Sequence, residues 1–131
     1  MTIKRLLGLL TGTGKRKQAE GFSGDVGRTY GAVEEDFLMI QYAVDHGDNP
    51  WRLHPVETAR RIGIERLGFG VEDVFRFESQ YLDYDSGLHR ASIKAQHGGA
   101  FFLVELYQPV RQGATGIWAV AGVKPLDGNE I

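Results

Sequence analysis

From Val74 to Val123 hydrophobic and polar positions alternate almost without a break, and two segments with helical spacing precede them. Over Val74–Tyr84, Phe75, Phe77 and Tyr81 share one face of an extended chain, opposite Arg76, Glu78 and Gln80. Over His89–His97, Ala91, Ile93 and Ala95 oppose Arg90, Ser92, Lys94 and Gln96, the alternation of a strand buried on one side. Asp85-Ser86-Gly87 and Gly98-Gly99 supply hairpin turns at the two ends of this strand. Phe101–Val110 and Ile117–Val123 carry apolar groups on both faces, as central strands do, and Ala119, Ala121 and Gly122 leave room for a helix to approach. Pro109 and Pro125 mark strand ends, because proline cannot donate to a ladder. Trp118, in the middle of the last apolar run, is the expected core anchor.

The first helical segment runs over Ala32–Asp45. Val33, Phe37, Ile40 and Val44 recur at spacings of four, three and four, and Glu34, Glu35 and Asp36 fall in the first turn, where the helix dipole favours acids. Leu38, Met39 and Tyr42 widen the stripe, which predicts cover on more than one side, and Gly47 ends the helix. A second helix spans Pro55–Leu67, with Pro55 in the first position, Glu57 in the first turn, and Val56, Ala59, Gly63 and Leu67 along one face. Arg60, Arg61, Glu65 and Arg66 read as its solvated side. The fold class is therefore α+β: two helices packed on a four-stranded antiparallel meander sheet in one domain over 32–126. A flexible basic arm and glycine-rich linker occupy 1–31, and 127–131 form a short tail.

Charge sharpens the contrast between arm and body. Five of the 15 Lys and Arg residues and none of the 17 acids lie in residues 1–17, so that segment carries +5 and the remainder −7. A uniformly basic face for nucleic acid is thus not expected. Ile3, Leu6, Leu7 and Leu10 fall on one face of a short amphipathic segment, with Lys4 and Arg5 beside them. Leu6, Leu10, Lys15, Arg16 and Lys17 are the arm's candidate contacts, to a protein or, through residues 1–17, to a membrane surface. Leu6–Leu10 is too short and too broken by Gly8 for a secretory signal. Gly12-Thr13-Gly14-Lys15 fails as a phosphate loop: position 9 is Leu9, and Arg16 stands where Ser or Thr belongs. Cysteine is absent, which excludes disulfides and thiolate metal sites.

Candidate chemistry is sparse. His46-Gly47-Asp48-Asn49-Pro50-Trp51-Arg52-Leu53-His54-Pro55 gathers two histidines, an acid and a tryptophan. His46, Trp51 and His54 are its candidate binding residues, and the competing reading makes Trp51 a plug between the helices and His54 a cap of the second. His89 and His97 lie about 26 Å apart along an extended strand, too far to share an ion. Asp83 follows Tyr81 on the apolar face of its strand, where a carboxyl with a raised pKa is a weak candidate base. No metal site and no cofactor are expected.

Two helices followed by a curved antiparallel sheet resemble the cystatin-like and NTF2-like architectures. Val44-Asp45-His46-Gly47, the run Pro50–Ala59 with its Pro-Trp-Arg-Leu-x-Pro string, and Gly116-Ile117-Trp118-Ala119-Val120 resemble small uncharacterised bacterial domains, often exported or lipid-anchored. That resemblance covers about residues 32–124 and implies no established activity. The leading functional expectation is a non-enzymatic binding or assembly module, working through the sheet and the arm on a protein partner or a second copy. An NTF2-like pocket protein or lyase/isomerase-type enzyme is the alternative, its pocket lined by Phe37, Tyr42, Phe75, Phe77, Tyr81 and Trp118 with Asp83 as base. A peripheral membrane-surface protein is the third. The expected location is cytoplasmic, with export or membrane association as the alternative.

Overall fold

A computed structural model describes residues 31–126. Helix α1 spans Phe37–Asp45, and Asp36 decides where it starts: its carboxylate accepts the Met39 backbone N–H at 3.2 Å. An acid in that position satisfies one of the donors a helix leaves open at its first turn. The helix thus begins later than the apolar spacing from Ala32 suggested. Val33 stands outside it, packs against the core, and donates its N–H to the Val120 carbonyl at 3.1 Å. Asn49, in a left-handed conformation at φ 48°, turns the chain into a short 3-10 helix over Pro50–Leu53. Helix α2 follows over Pro55–Arg66, with proline in the first turn as the sequence implied.

The sheet is an antiparallel meander of β1 (Val74–Asp83), β2 (Leu88–His97), β3 (Ala100–Tyr107) and β4 (Ala119–Leu126), in that spatial order. The α+β class, the helix pair and the strand order all agree with the sequence reading. Helix α2 crosses one face of the sheet and touches all four strands. Ala59 and Ile62 of α2, with Leu67 and Phe69 just beyond it, meet Ala91, Ile93, Ala95, Phe102, Val104, Leu106, Val120 and Val123 from the sheet. Gly63 permits this approach. A Cβ there would come within 3.0 Å of Phe69 and 3.2 Å of Phe75.

Four expectations need correction. Leu38, Met39 and Tyr42 are exposed, since the buried side of α1 is carried by Gln41 and Val44. The run Ile117–Val123 is not a central strand among the described residues: β4 starts at Ala119, forms an edge of their sheet, and includes Pro125 paired opposite Phe102. An edge strand tolerates this proline because one side of its backbone needs no ladder donor. Trp118 stands just before β4, although it is buried as foreseen. Finally, β1 is not uniformly alternating. Phe77 pairs with Ile93 but Ser79 pairs with Ser92, so Glu78 is an inserted residue that makes a bulge. Beyond it Tyr81 pairs with Arg90 instead of His89, which turns Tyr81 to the face opposite Phe75 and Phe77.

Trp118 is 3% exposed and belongs to the core cluster. Trp118→Ala is expected to cost ~3–5 kcal/mol through lost burial and the cavity left behind. Chemical denaturation checks this, and a midpoint equal to wild type would contradict the placement of the core.

Candidate functional site

The Pro50–Pro55 segment is organised around its arginine. Arg52 is buried at 4% exposure, whereas Trp51 is only half-buried. A guanidinium out of water requires acceptors, and Arg52 has two: the Trp118 carbonyl at 2.9 Å through Nη1, and the Glu35 carboxylate through Nη2. The Trp118 N–H in turn donates to the Arg52 carbonyl at 2.9 Å, so the 3-10 turn and the start of β4 are joined in both directions. Trp51 packs on the core with the guanidinium groups of Arg52 and Arg61 over its ring, 4.9 and 5.2 Å from the centroid. Its carbonyl accepts from Thr58 Oγ1 at 3.1 Å. Glu35 Oε2 is buried without a hydrogen-bond partner among the described residues. Burial holds the Arg66 guanidinium below its ordinary pKa, with the Glu35 charge opposing and Arg52 reinforcing that displacement.

The buried Gln41 and an ion pair fasten α1 to the connection between β3 and β4, and the buried Gln108 folds that connection on itself. Gln41 donates to the Thr115 carbonyl at 2.9 Å and accepts the Ile117 N–H at 3.0 Å. Gln108 donates to the carbonyls of Gly113 and Gly116 at 2.8 and 2.9 Å and accepts the Gly113 N–H at 2.8 Å. Gly116 must be glycine here, since a Cβ would lie 1.7 Å from the Arg111 carbonyl oxygen. Arg111 grips both oxygens of Asp45 at 2.9 and 2.8 Å. The Asp45 carboxyl is lowered from 3.8 to about 2, first by Arg111 and then by the Gln41 amide, while Arg111 is raised.

The histidines do not converge. His46 closes α1, its Nδ1 2.8 Å from the Tyr42 carbonyl and its ring against Tyr42. His54 occupies the position before α2 but makes no side-chain capping bond. His89 meets Gln112 Oε1, and His97 meets the buried Asp73 carboxylate at 2.6 Å, so neither is a bare strand end. Among the described residues no group of histidines and acids is arranged to hold a metal.

Asp83 is the opposite of a raised-pKa base. Its carboxylate accepts from Arg90 Nε at 2.9 Å, Ser86 Oγ at 3.0 Å and the Asp85 N–H at 3.0 Å, and these bonds lower its pKa, with Arg90 first. It anchors the β1–β2 turn. The aromatic residues proposed to line a pocket with it are dispersed. Phe75 meets Phe69 edge to face in the core, and Phe37 meets Tyr107. Tyr42, Phe77 and Tyr81 are exposed, the last on the other side of the sheet from Phe77.

What is exposed is more informative than what is buried. The edge of β4 receives the Val33 N–H and contains Pro125, both of which blunt strand addition. Among the described residues β1 has no strand on its outer side, and it contains neither proline nor lysine. Val71, Val74, Phe77, Tyr81, Leu82 and Tyr84 are exposed in or beside it, while Leu38, Met39 and Tyr42 make a second apolar patch on α1. The sequence reading named Tyr81 and Phe77 but not Val71, Val74, Leu82 or Tyr84 as candidate contacts. It also missed the Glu35–Arg52 pair, although an arginine flanked by Trp51 and Leu53 between two prolines was a signal. The arm's candidates Leu6, Leu10, Lys15, Arg16 and Lys17 lie outside the described residues. No family model matches the chain, and no curated protein or solved structure does so either.

Removing one partner of a buried ion pair strands the other charge, at a cost of about 3–5 kcal/mol. Arg52→Met is expected to fall in that range, and Glu35→Leu combined with Arg52→Met to cost less than the two single changes added together. Equilibrium unfolding of the three variants measures the coupling; strict additivity would contradict it.

The Asp45 contact carries an acid signature. A lowered folded-state pKa contributes stability above the unfolded value, and that contribution is lost as pH falls from 3.8 towards about 2. Wild type should therefore melt higher than Asp45→Asn at neutral pH, with the gap closing as pH approaches 2. Melting temperatures at several pH values test this, and a pH-independent gap would refute it.

Proposed function

We propose that this domain is a non-enzymatic binding and assembly module that engages protein through β1, with the basic segment 1–17 as a second contact. One observation carries the reading: among the described residues a ten-residue edge strand has an open outer side, with Val74, Phe77, Tyr81 and Leu82 exposed. Exposed apolar edges of this kind are templates for strand addition. The opposite edge is occupied by Val33 and interrupted by Pro125, so the invitation is one-sided. The dispersal of the polar groups supports a binding role as well. Asp83, Asp45, Asp73 and Glu35 each serve a local structural contact.

A photo-crosslinking side chain in place of Phe77, introduced into the full chain in cells, tests the reading. Covalent adducts with protein are expected at position 77 and not at the exposed control position Glu65. Failure to capture any protein at position 77, or equal capture at both positions, would overturn it.

A further inference from the structure

We infer that the partner strand is a second copy of this chain, paired antiparallel along β1 so that Phe77 faces its counterpart and each Arg76 faces Glu78 of the other copy. This rests on the assembly reading above and adds the partner and the register.

The argument starts from symmetry. Two identical strands that join their sheets side by side about a two-fold axis normal to the sheet keep the same face up. In a regular stretch, one residue must then sit opposite itself, and its neighbours on either side pair with each other. Where β1 meets its bulge, the three adjacent centres Arg76, Phe77 and Glu78 differ in the charges they bring together. Centring on Arg76 sets two cations against each other, and centring on Glu78 sets two anions against each other, both of which oppose pairing. Centring on Phe77 does the reverse: Arg76 meets Glu78 twice, once on each side of the axis, and two Phe77 rings meet between them.

The faces agree with this register. Arg76 pairs with Lys94 inside the protomer, which places it on the side of the sheet away from α2. Glu78 reaches the same side, because its Oε2 lies 3.8 Å from Lys94 Nζ. Phe77 pairs with Ile93 on the α2 side, yet remains 51% exposed. The Glu78 side chain is 44% exposed, and among the described residues only its Oε2 lies near a cation, which leaves Oε1 to meet an incoming guanidinium. Among the described residues Arg76 forms no salt bridge within the protomer. The bulge at Glu78 ends the regular stretch, so the contact is short and its charge pairs weigh heavily in the choice of register.

Charge exchange is the test. Sedimentation velocity of the full chain over a range of concentrations should show a monomer–dimer equilibrium. Arg76→Glu and Glu78→Arg should each weaken the dimer at least about tenfold by placing like charges opposite, and the double exchange should restore it. Because the chain has no cysteine, Phe77→Cys offers a second readout. Cα atoms facing across antiparallel strands lie within disulfide reach, so mild oxidation should link two copies through position 77 but not through Tyr84→Cys. A strict monomer at every concentration would overturn the inference. So would a dimer indifferent to both charge reversals, or one that fails to link at position 77. Protein adducts at position 77 that contain only other polypeptides would overturn the second copy as partner while leaving the binding reading standing.

Discussion

The buried Arg52 guanidinium is the constraint around which this domain is arranged. A cation removed from water needs acceptors fixed in place, and here they come from segments distant in sequence: the Glu35 carboxylate before α1 and the Trp118 carbonyl at the start of β4. Through one side chain the approach to α1, the 3-10 turn and the last strand hold a common geometry. The return bond from the Trp118 N–H to the Arg52 carbonyl closes the connection. Trp51, the large apolar residue of its segment, lies under two guanidinium groups at the rim of the core.

The rest of the packing follows from that arrangement. With the 3-10 turn tied to β4, α2 leaves Pro55 in a direction that carries it across all four strands, and Gly63 lets it settle against Phe69 and Phe75. Helix α1 is held differently. It has few buried apolar groups and is fastened to the β3–β4 connection by the Gln41 amide and the Asp45–Arg111 pair. Polar fastening leaves Leu38, Met39 and Tyr42 facing outward. The domain therefore has a dry side under α2 and a polar hinge of contacts around α1, and its apolar surplus gathers at β1 and on the outer side of α1.

The bulge in β1 shapes the surface on which the proposed binding rests. By inserting Glu78 it sends Tyr81 to the far side of the sheet and leaves Phe77 on the near side, so both faces of the edge strand carry an exposed aromatic group. It separates Asp83 from the aromatic face on which it would have acted as a base. Arg90 and the turn donors then keep that carboxylate ionised to lower pH. A strand that looked like one wall of a pocket is instead a surface, open along its outer edge among the described residues.

The α+β class, the meander order, the turns at Asp85–Gly87 and Gly98–Gly99, and the buried state of Trp118 are determined by the sequence itself. Each rests on local periodicity or on the conformational needs of a few residues, and both are written in neighbouring positions. The start of α1 was misread because apolar spacing counted Val33 as helical, whereas its side chain is used against the core and its N–H against Val120. The place of β4 at an edge and the Glu78 bulge likewise depend on which strand lies alongside. Only tertiary structure could decide the roles of Glu35, Arg52 and Gln41, because a buried polar side chain is explained by partners far away in the chain. Only tertiary structure could show that β1 ends the sheet among the described residues, because an alternating strand reads the same whether or not another strand pairs with its outer side.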